Sequence, residues 1–232
     1  MAVPSYVALI VVLVIGYISY KYLVTGPDIV NDAPPPPMSN SATAGNKNAM
    51  PEVNTRDPVE KMAAYKKNTI VFFGSQTGTA EDLASKLAKD LSSRLGLKTM
   101  TADLDDYDFN DFDKFPEKHL AVFVMASYGE GDPTDNAQEF YDFIKDPEFE
   151  SGATELPDLN FTVFGLGNSS YEFFNKIGRD VHRRLGELGG KAVGPYGEGY
   201  DGTGTMEEAF TTWKEELRAT LVPEWGLEEH EP

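Results

Sequence analysis

The 232-residue sequence predicts an α/β domain built on a doubly wound, five-stranded parallel sheet of strand order 2-1-3-4-5. Three observations carry that expectation. Short, nearly continuous apolar runs recur along the chain, such as Thr69-Ile70-Val71-Phe72-Phe73 and Leu120-Ala121-Val122-Phe123-Val124-Met125. Strands that are apolar on both faces are strands covered on both faces. Helical periodicity separates these runs: from Ala80 onward Leu83, Leu87 and Leu91 fall on one face. Regular alternation of strand and helix is the pattern of crossover connections between parallel neighbours, and five such strands fit an open sheet with a topological switch point.

In chain order, a short helix is expected over residues 59–65 and the first strand over 69–73, ending at Gly74. The helix that begins near Ala80 leads to a second strand over 97–102 and a third over 119–125. A helix over 137–145, a fourth strand over 161–166 and a helix over 177–188 follow. A short fifth strand at 192–193 and a last helix over 206–221 complete a domain placed at 58–222. No internal repeat is present.

Residues 1–25 are expected to form one transmembrane helix. No charge precedes Lys21, residues 7–15 are aliphatic throughout, and Tyr17 to Val24 extend the apolar stretch. That reaches the ~20 residues a helix needs to cross a bilayer. A cleaved signal peptide would carry a basic start and a small-residue cleavage site; the segment has neither. Tyr17, Tyr20 and Tyr22 match an interfacial belt, and Lys21 places the following chain in the cytoplasm. Residues 26–57, with prolines at 34–37, are a polar spacer that buries too little apolar surface to fold.

Composition removes several classes of function. With 20 basic and 38 acidic residues the net charge is −18, which opposes a nucleic-acid partner and suits a basic protein partner. There is no cysteine, which excludes a disulfide framework, a thiolate metal site and a cysteine nucleophile. His119, His182 and His230 lack ligand spacing, so no metal site is expected.

Three loops carry the chemistry. Gly74-Ser75-Gln76-Thr77-Gly78-Thr79-Ala80-Glu81 links a strand to a helix, and its hydroxyls at a helix N-terminus form a cradle for a phosphate. It lacks the lysine of a triphosphate loop and the GxGxxG of a dinucleotide fingerprint, which points to a bound monoester. A hydroxyl-rich helix cap is the plainer reading of the same residues. The segment Ala126 to Asn136 leaves the third strand and offers glycines for close approach and Tyr128 as a stacking face. Gly165-Leu166-Gly167-Asn168-Ser169-Ser170-Tyr171 repeats that formula after the fourth strand.

Residues 74–81, 128–136 and 165–171 resemble the three FMN loops of the diflavin reductase family, in the style of its fungal NADPH–cytochrome P-450 reductases. The resemblance runs from about residue 69 to residue 221 and extends loosely to the N-terminal anchor. It implies a flavodoxin-like fold in which Ser75, Gln76, Thr77, Gly78 and Thr79 hold the FMN phosphate. Tyr128 and Tyr171 would sandwich the ring, Gly129 would approach its N5 edge, and Leu166, Gly167 and Asn168 would line the ribityl chain and ring edge. Ala126, Ser127, Phe174, Asn175 and Asp201 complete the implied cofactor set.

The family's acidic docking surface has counterparts in Asp103, Asp105 and Asp106, in Glu130 and Asp132, and in Asp201, Glu207 and Glu208. These would face the basic side of a haem protein such as a cytochrome P-450; each acid is equally well a solvated loop charge. Tyr200 stands where the family often has a second acid, an aromatic that removes one docking charge and could sit near the flavin. The implied activity is a one-electron relay through FMN, with no catalytic side chain, from an FAD/NADPH domain to membrane-bound haem proteins. The anchor would hold it at the endoplasmic reticulum, facing the cytoplasm. Nothing after residue 222 corresponds to the FAD and NADPH portions, so residues 223–232 read as the start of a connection to them. On its own the chain is not expected to oxidise NADPH efficiently. A quinone reductase of similar fold and an anchored module without flavin are the other readings.

Overall fold

The computed structural model describes residues 53–146, 155–201 and 204–231, all within the compact unit Met50–Pro232. The expected transmembrane span and the spacer up to residue 52 lie outside the described residues. Among the described residues no helix is long and apolar enough to cross a membrane.

The first helix, α1 (Pro58–Ala64), starts where Asp57 accepts hydrogen bonds from the N–H groups of Val59 (2.8 Å) and Glu60 (3.3 Å), with Pro58 in the first turn. Strand β1 (Thr69–Gly74) is buried along its whole length. Helix α2 (Thr79–Leu95) buries Ala80, Leu83, Ala84, Leu87, Leu91 and Leu95, the stripe that the leucine spacing predicts. It closes at Gly96, in the left-handed conformation, where the N–H of Leu97 donates to the carbonyl of Leu91. Leu97 is therefore buried as part of the helix cap, and β2 begins two residues later than the sequence suggests, at Thr99–Asp103.

The sheet continues with β3 (Leu120–Tyr128), the two-residue β4 (Asp132–Pro133), β5 (Asn160–Gly167), β6 (Lys191–Ala192) and β7 (Gly197–Tyr200). Helix α3 (Gln138–Lys145) lies between β4 and β5, α4 (Lys176–Glu187) between β5 and β6, and α5 (Met206–Trp225) follows β7. The path across the sheet is β2-β1-β3-β5-β6, all parallel, which is the expected order of the principal strands.

Among the described residues the expected count of five strands is corrected to seven. Strand β4 folds back antiparallel on the end of β3, pairing Tyr128 with Asp132. The fifth position is broken in two: β6 pairs with the start of β5, and β7 pairs with its end from Phe164↔Gly197 to Gly167↔Tyr200. Between them lie Gly194 and Pro195; proline has no N–H to continue a ladder. The last helix also runs past the predicted residue 221, to Trp225, with Pro223 inside its final turn.

Alternate residues of the central strands feed two cores. Ile70, Phe72, Ala121, Phe123, Phe161 and Val163 pack with α1, α3 and α4 on one face. Val71, Phe73, Val122, Val124, Phe164 and Leu166 pack with α2 and α5 on the other. Phe123 is stacked between Phe72 (5.3 Å between ring centres) and Phe140 (5.0 Å), which fixes α3 against the sheet.

Helix α4 lies close on β5 because neither surface carries a side chain at the contact. A Cβ on Gly178 would sit 2.7 Å from the Cα of Gly165. Gly186, near the other end of the same helix, has nothing within 4 Å of that position. Gly178→Ala is expected to cost about 1–3 kcal/mol in urea denaturation, as overpacking does. Gly186→Ala is expected to stabilise by roughly 0.5–1 kcal/mol, the ordinary gain of alanine in a helix. Equal effects of the two substitutions would show that the close approach is not a constraint.

Candidate functional site

The carboxyl ends of β1, β3, β5 and β7 open into one cleft. It is lined by Ser75, Gln76, Thr77 and Thr79 from the first loop, Ala126, Ser127 and Tyr128 from the second, and Leu166, Gly167 and Asn168 from the third. Asp201, after β7, completes the wall, and Ala80, Thr134 and Met206 fill its floor.

The first loop ends at the N-terminus of α2. Gly78 is the N-cap residue, in the left-handed region at φ 87°, and no side chain caps the helix. The Ser75 hydroxyl instead accepts from the Gly78 N–H (3.0 Å), which curls the loop over the helix start. The first N–H groups of a 17-residue helix thus point into a cleft edged by the hydroxyls of Thr77 and Thr79. An uncapped helix start is an anion-binding element. The start of α4 differs: Ser127 accepts from the Ile177 N–H (3.1 Å), so a residue of the second loop satisfies that helix.

The second and third loops are tied to each other. The Lys176 ammonium donates to the Gly131 carbonyl (3.1 Å) and pairs with Asp180 (3.4 Å), while the Tyr141 hydroxyl donates to Asp180 (2.7 Å). Burial, reinforced by that bond to Asp180, raises the Tyr141 pKa and keeps it a neutral donor. In the third loop the Ser170 N–H donates to the Asn168 side chain (2.9 Å) and the Tyr171 N–H to the Asn168 carbonyl (3.1 Å). The turn leaves Tyr171 65% exposed, and Tyr128 is 57% exposed. Tyr128 stands on the cleft wall and Tyr171 follows the lining residue Asn168; large aromatic faces open to solvent are what a flat ligand would cover.

Of the expected cofactor residues, Ser75, Gln76, Thr77, Thr79, Ala126, Ser127, Tyr128, Leu166, Gly167, Asn168 and Asp201 are brought to the cleft wall. Gly78 shapes the loop, and Gly129 follows Tyr128 in the β3–β4 turn. Tyr171, Phe174 and Asn175 lie outside the wall. Phe174 stacks on Tyr200 (4.9 Å, 20°) with the Arg179 guanidinium over its ring (5.3 Å). Asn175 is fully buried and donates to the Gly199 carbonyl (3.3 Å), which holds β7 against the third loop. Tyr200 therefore has a packing partner of its own.

The acids fall into two groups. Asp105, Asp106, Glu130, Asp132, Asp201 and Glu208 are exposed at the ends of β2, β3 and β7 and the start of α5. Asp103 is half-buried and accepts from Asn136 (2.9 Å) and from the Asp105 N–H (3.1 Å). Glu207 pairs with Lys86 (2.7 Å), and the hydrogen bonds that the Lys86 ammonium donates to Asp82 and Glu207 raise its pKa. Thr134, Ala80 and Met206 are floor residues that sequence reasoning did not single out. Ala80 and Thr134 belong to the first and second loop segments, whereas Met206 reaches the cleft only through the packing of α5.

A parallel sheet of this order, with helices on both faces and a ligand cleft at its carboxyl edge, defines the flavodoxin-like class. The chain belongs to the flavodoxin family, whose model matches residues 71–213. It is 48% identical over 231 residues to the NADPH–cytochrome P450 reductase of Aspergillus fumigatus, covering 97% of this chain and 32% of that protein. It is 52% identical over 202 residues to that of Aspergillus oryzae, covering 84% and 28%. The chain thus spans about a third of the length of these relatives. Among solved structures, a flavodoxin of Streptococcus pneumonia TIGR4 superposes with a TM-score of 0.52 at 25% identity, covering 65% of this chain and 97% of that one. A cysteine-to-alanine mutant of flavodoxin from Pseudomonas aeruginosa gives 0.52 at 31%, covering 66% and 97%.

The residues present fit FMN. An uncapped helix start with hydroxyls and no carboxylate among residues 75–79 suits its phosphate. The exposed faces of Tyr128 and Tyr171 suit its ring, and Ala126, Leu166 and Met206 give the cleft an apolar floor.

Proposed function

We propose that this chain is the FMN-bearing electron-relay module of an NADPH–cytochrome P450 reductase. The observation that carries the proposal is the convergence of the uncapped α2 start and the exposed Tyr128 on one cleft at the carboxyl edge, with the exposed Tyr171 in the turn that follows the lining residue Asn168. When bound, FMN supplies the redox chemistry, exchanging single electrons between a pyridine-nucleotide-linked flavin donor and a haem acceptor.

The chain's own residues bind, orient and expose it. Ser75, Gln76, Thr77, Gly78 and Thr79 hold the phosphate with hydroxyl and backbone donors. Tyr128 and Tyr171 hold the ring by stacking, and Asn168 and Asp201 border it. The wall between them stays open, which lets an edge of the ring meet a partner. Exposed acids surround that opening, so a basic partner is steered to it and high salt weakens the encounter. Cytochromes P450 with a basic docking face are the acceptors this charge favours, and an FAD/NADPH domain of the same longer protein is the donor. The docking set is then Asp105, Asp106, Glu130, Asp132, Asp201 and Glu208. Asp103 and Glu207 contribute less, because their charges serve internal partners.

The near-continuous apolar run over residues 1–25 supports a single-pass anchor, with the flavin module on the cytoplasmic side of the endoplasmic reticulum membrane. An anchor confines donor and acceptor to one surface. The full chain is expected to stay with membranes after alkaline carbonate washing and to be released only by detergent. Release by carbonate alone would exclude a spanning anchor.

The flavin assignment is tested by titrating the detergent-solubilised chain with FMN and following flavin fluorescence. One FMN per chain is expected, with strong quenching of the flavin by the stacked tyrosines. Tyr171→Ala is expected to bind at least about tenfold more weakly, since one ring face loses its aromatic partner. Full affinity in that variant would overturn the sandwich.

A further inference from the structure

Asn136 does not line the cleft, yet its carboxamide is the most heavily engaged side chain around it. Its Oδ1 accepts from the Ser75 N–H (2.9 Å) and from the Thr134 hydroxyl (2.8 Å). Its Nδ2 donates to the Phe73 carbonyl (3.3 Å) and to Asp103 Oδ1 (2.9 Å). An amide has two donor hydrogens and two acceptor lone pairs, and all four are used. The orientation is unambiguous, because the Ser75 N–H can only donate and the Phe73 carbonyl can only accept.

The two backbone contacts flank Gly74, the last residue of β1 and the last to pair with β3. At the point where the chain leaves the sheet, the Asn136 side chain replaces the missing neighbour strand. Gly74 is packed against the same turn: a Cβ there would sit 2.9 Å from the Ala137 Cβ and 3.1 Å from the Thr134 hydroxyl. One residue further on, the Gln76 amide donates to Asp135 Oδ2 (3.2 Å) and accepts from the Asp135 N–H (3.4 Å). The end of the second loop therefore grips the start of the first, and Asp103 anchors that grip to β2.

We propose that Asn136 is a positioning residue for the phosphate loop, holding Ser75 to Thr79 in its anion-receiving shape without touching the ligand. The proposal rests on the FMN reading of the cleft and deepens it. Its consequence is selective: the residue matters for the phosphate end of the ligand and not for the ring end, which Tyr128 and Tyr171 hold. Riboflavin has the same ring and side chain and lacks the phosphate, so it separates the two.

The test compares FMN and riboflavin affinities by fluorescence quenching in the full chain, with thermal unfolding of the flavin-free protein as a check on the fold. Asn136→Ala is expected to weaken FMN by about tenfold or more, several hydrogen bonds' worth, and riboflavin by less than about twofold. A swap reads the same contact without removing it. Asn136→Asp sets two carboxylates against each other and is expected to weaken FMN similarly, and adding Asp103→Asn restores a donor between the positions. The double variant is expected to recover at least about half of the lost affinity on a logarithmic scale. If Asn136→Ala proves unfolded, the swap decides alone.

Equal losses for FMN and riboflavin, no loss for either, or no recovery in the swap would overturn the positioning role. If the unaltered chain itself binds FMN no more tightly than riboflavin, the FMN reading fails first and takes the positioning role with it.

Discussion

The site depends on one row of the parallel sheet. Gly74 pairs with Met125, Met125 with Gly165, and Gly165 with Glu198, a line across four strands. The segments that line the cleft begin just beyond it, at Ser75, Ala126, Leu166 and Gly199. Register in a sheet covered on both faces is strongly fixed, since a slip of one residue would turn each strand's alternate set to the wrong core. Two separate cores, one fed by Phe72 and Phe123 and the other by Val71 and Val122, hold that row in place.

Close backbone approach then sets where the helices end. Gly165 against Gly178 brings α4 down onto β5, so that its first turn reaches Ser127 and its lysine reaches the second loop. Gly197 and Gly199 do the same for α5: side chains at these positions would collide with Trp213 and Met206. The result is that Met206 forms part of the cleft floor. Side-chain-free contacts in β5 and β7 thus position groups that are far apart in sequence.

Much of this was legible in the sequence. The alternation of apolar runs and helical stripes predicts the strand order, and the three loops announce themselves by glycine, hydroxyl and aromatic residues at strand ends. Eleven of the sixteen expected cofactor residues reach the cleft wall, Ser75, Thr79 and Tyr128 among them. The division of the fifth strand was not legible, because Gly197-Glu198-Gly199-Tyr200 has neither apolar continuity nor β-branched residues and is held by β5 and α5. Leu97 looked like a strand residue because an apolar side chain that closes a helix cap is indistinguishable in sequence from one that opens a strand. Tyr200 was read as a lost charge and an aromatic that could sit near the flavin; its stacking partner Phe174, 26 residues away, gave no sign in the sequence. Asn136 was hidden for the same reason: an asparagine in a polar turn gives no sign that its partners lie on β1 and β2.

A phosphorylated flavin is expected to bind at the carboxyl edge of this sheet and nowhere else on the domain. Backbone amide shifts of the isotopically labelled unit Met50–Pro232, recorded during addition of FMN, test it most directly. Perturbations are expected at residues 75–80, 126–136, 166–171 and 199–206, with Leu97, Lys118, Asn160 and Lys191 at the opposite edge unmoved. Shifts confined to that opposite edge, with Ser75 to Thr79 unchanged, would contradict it.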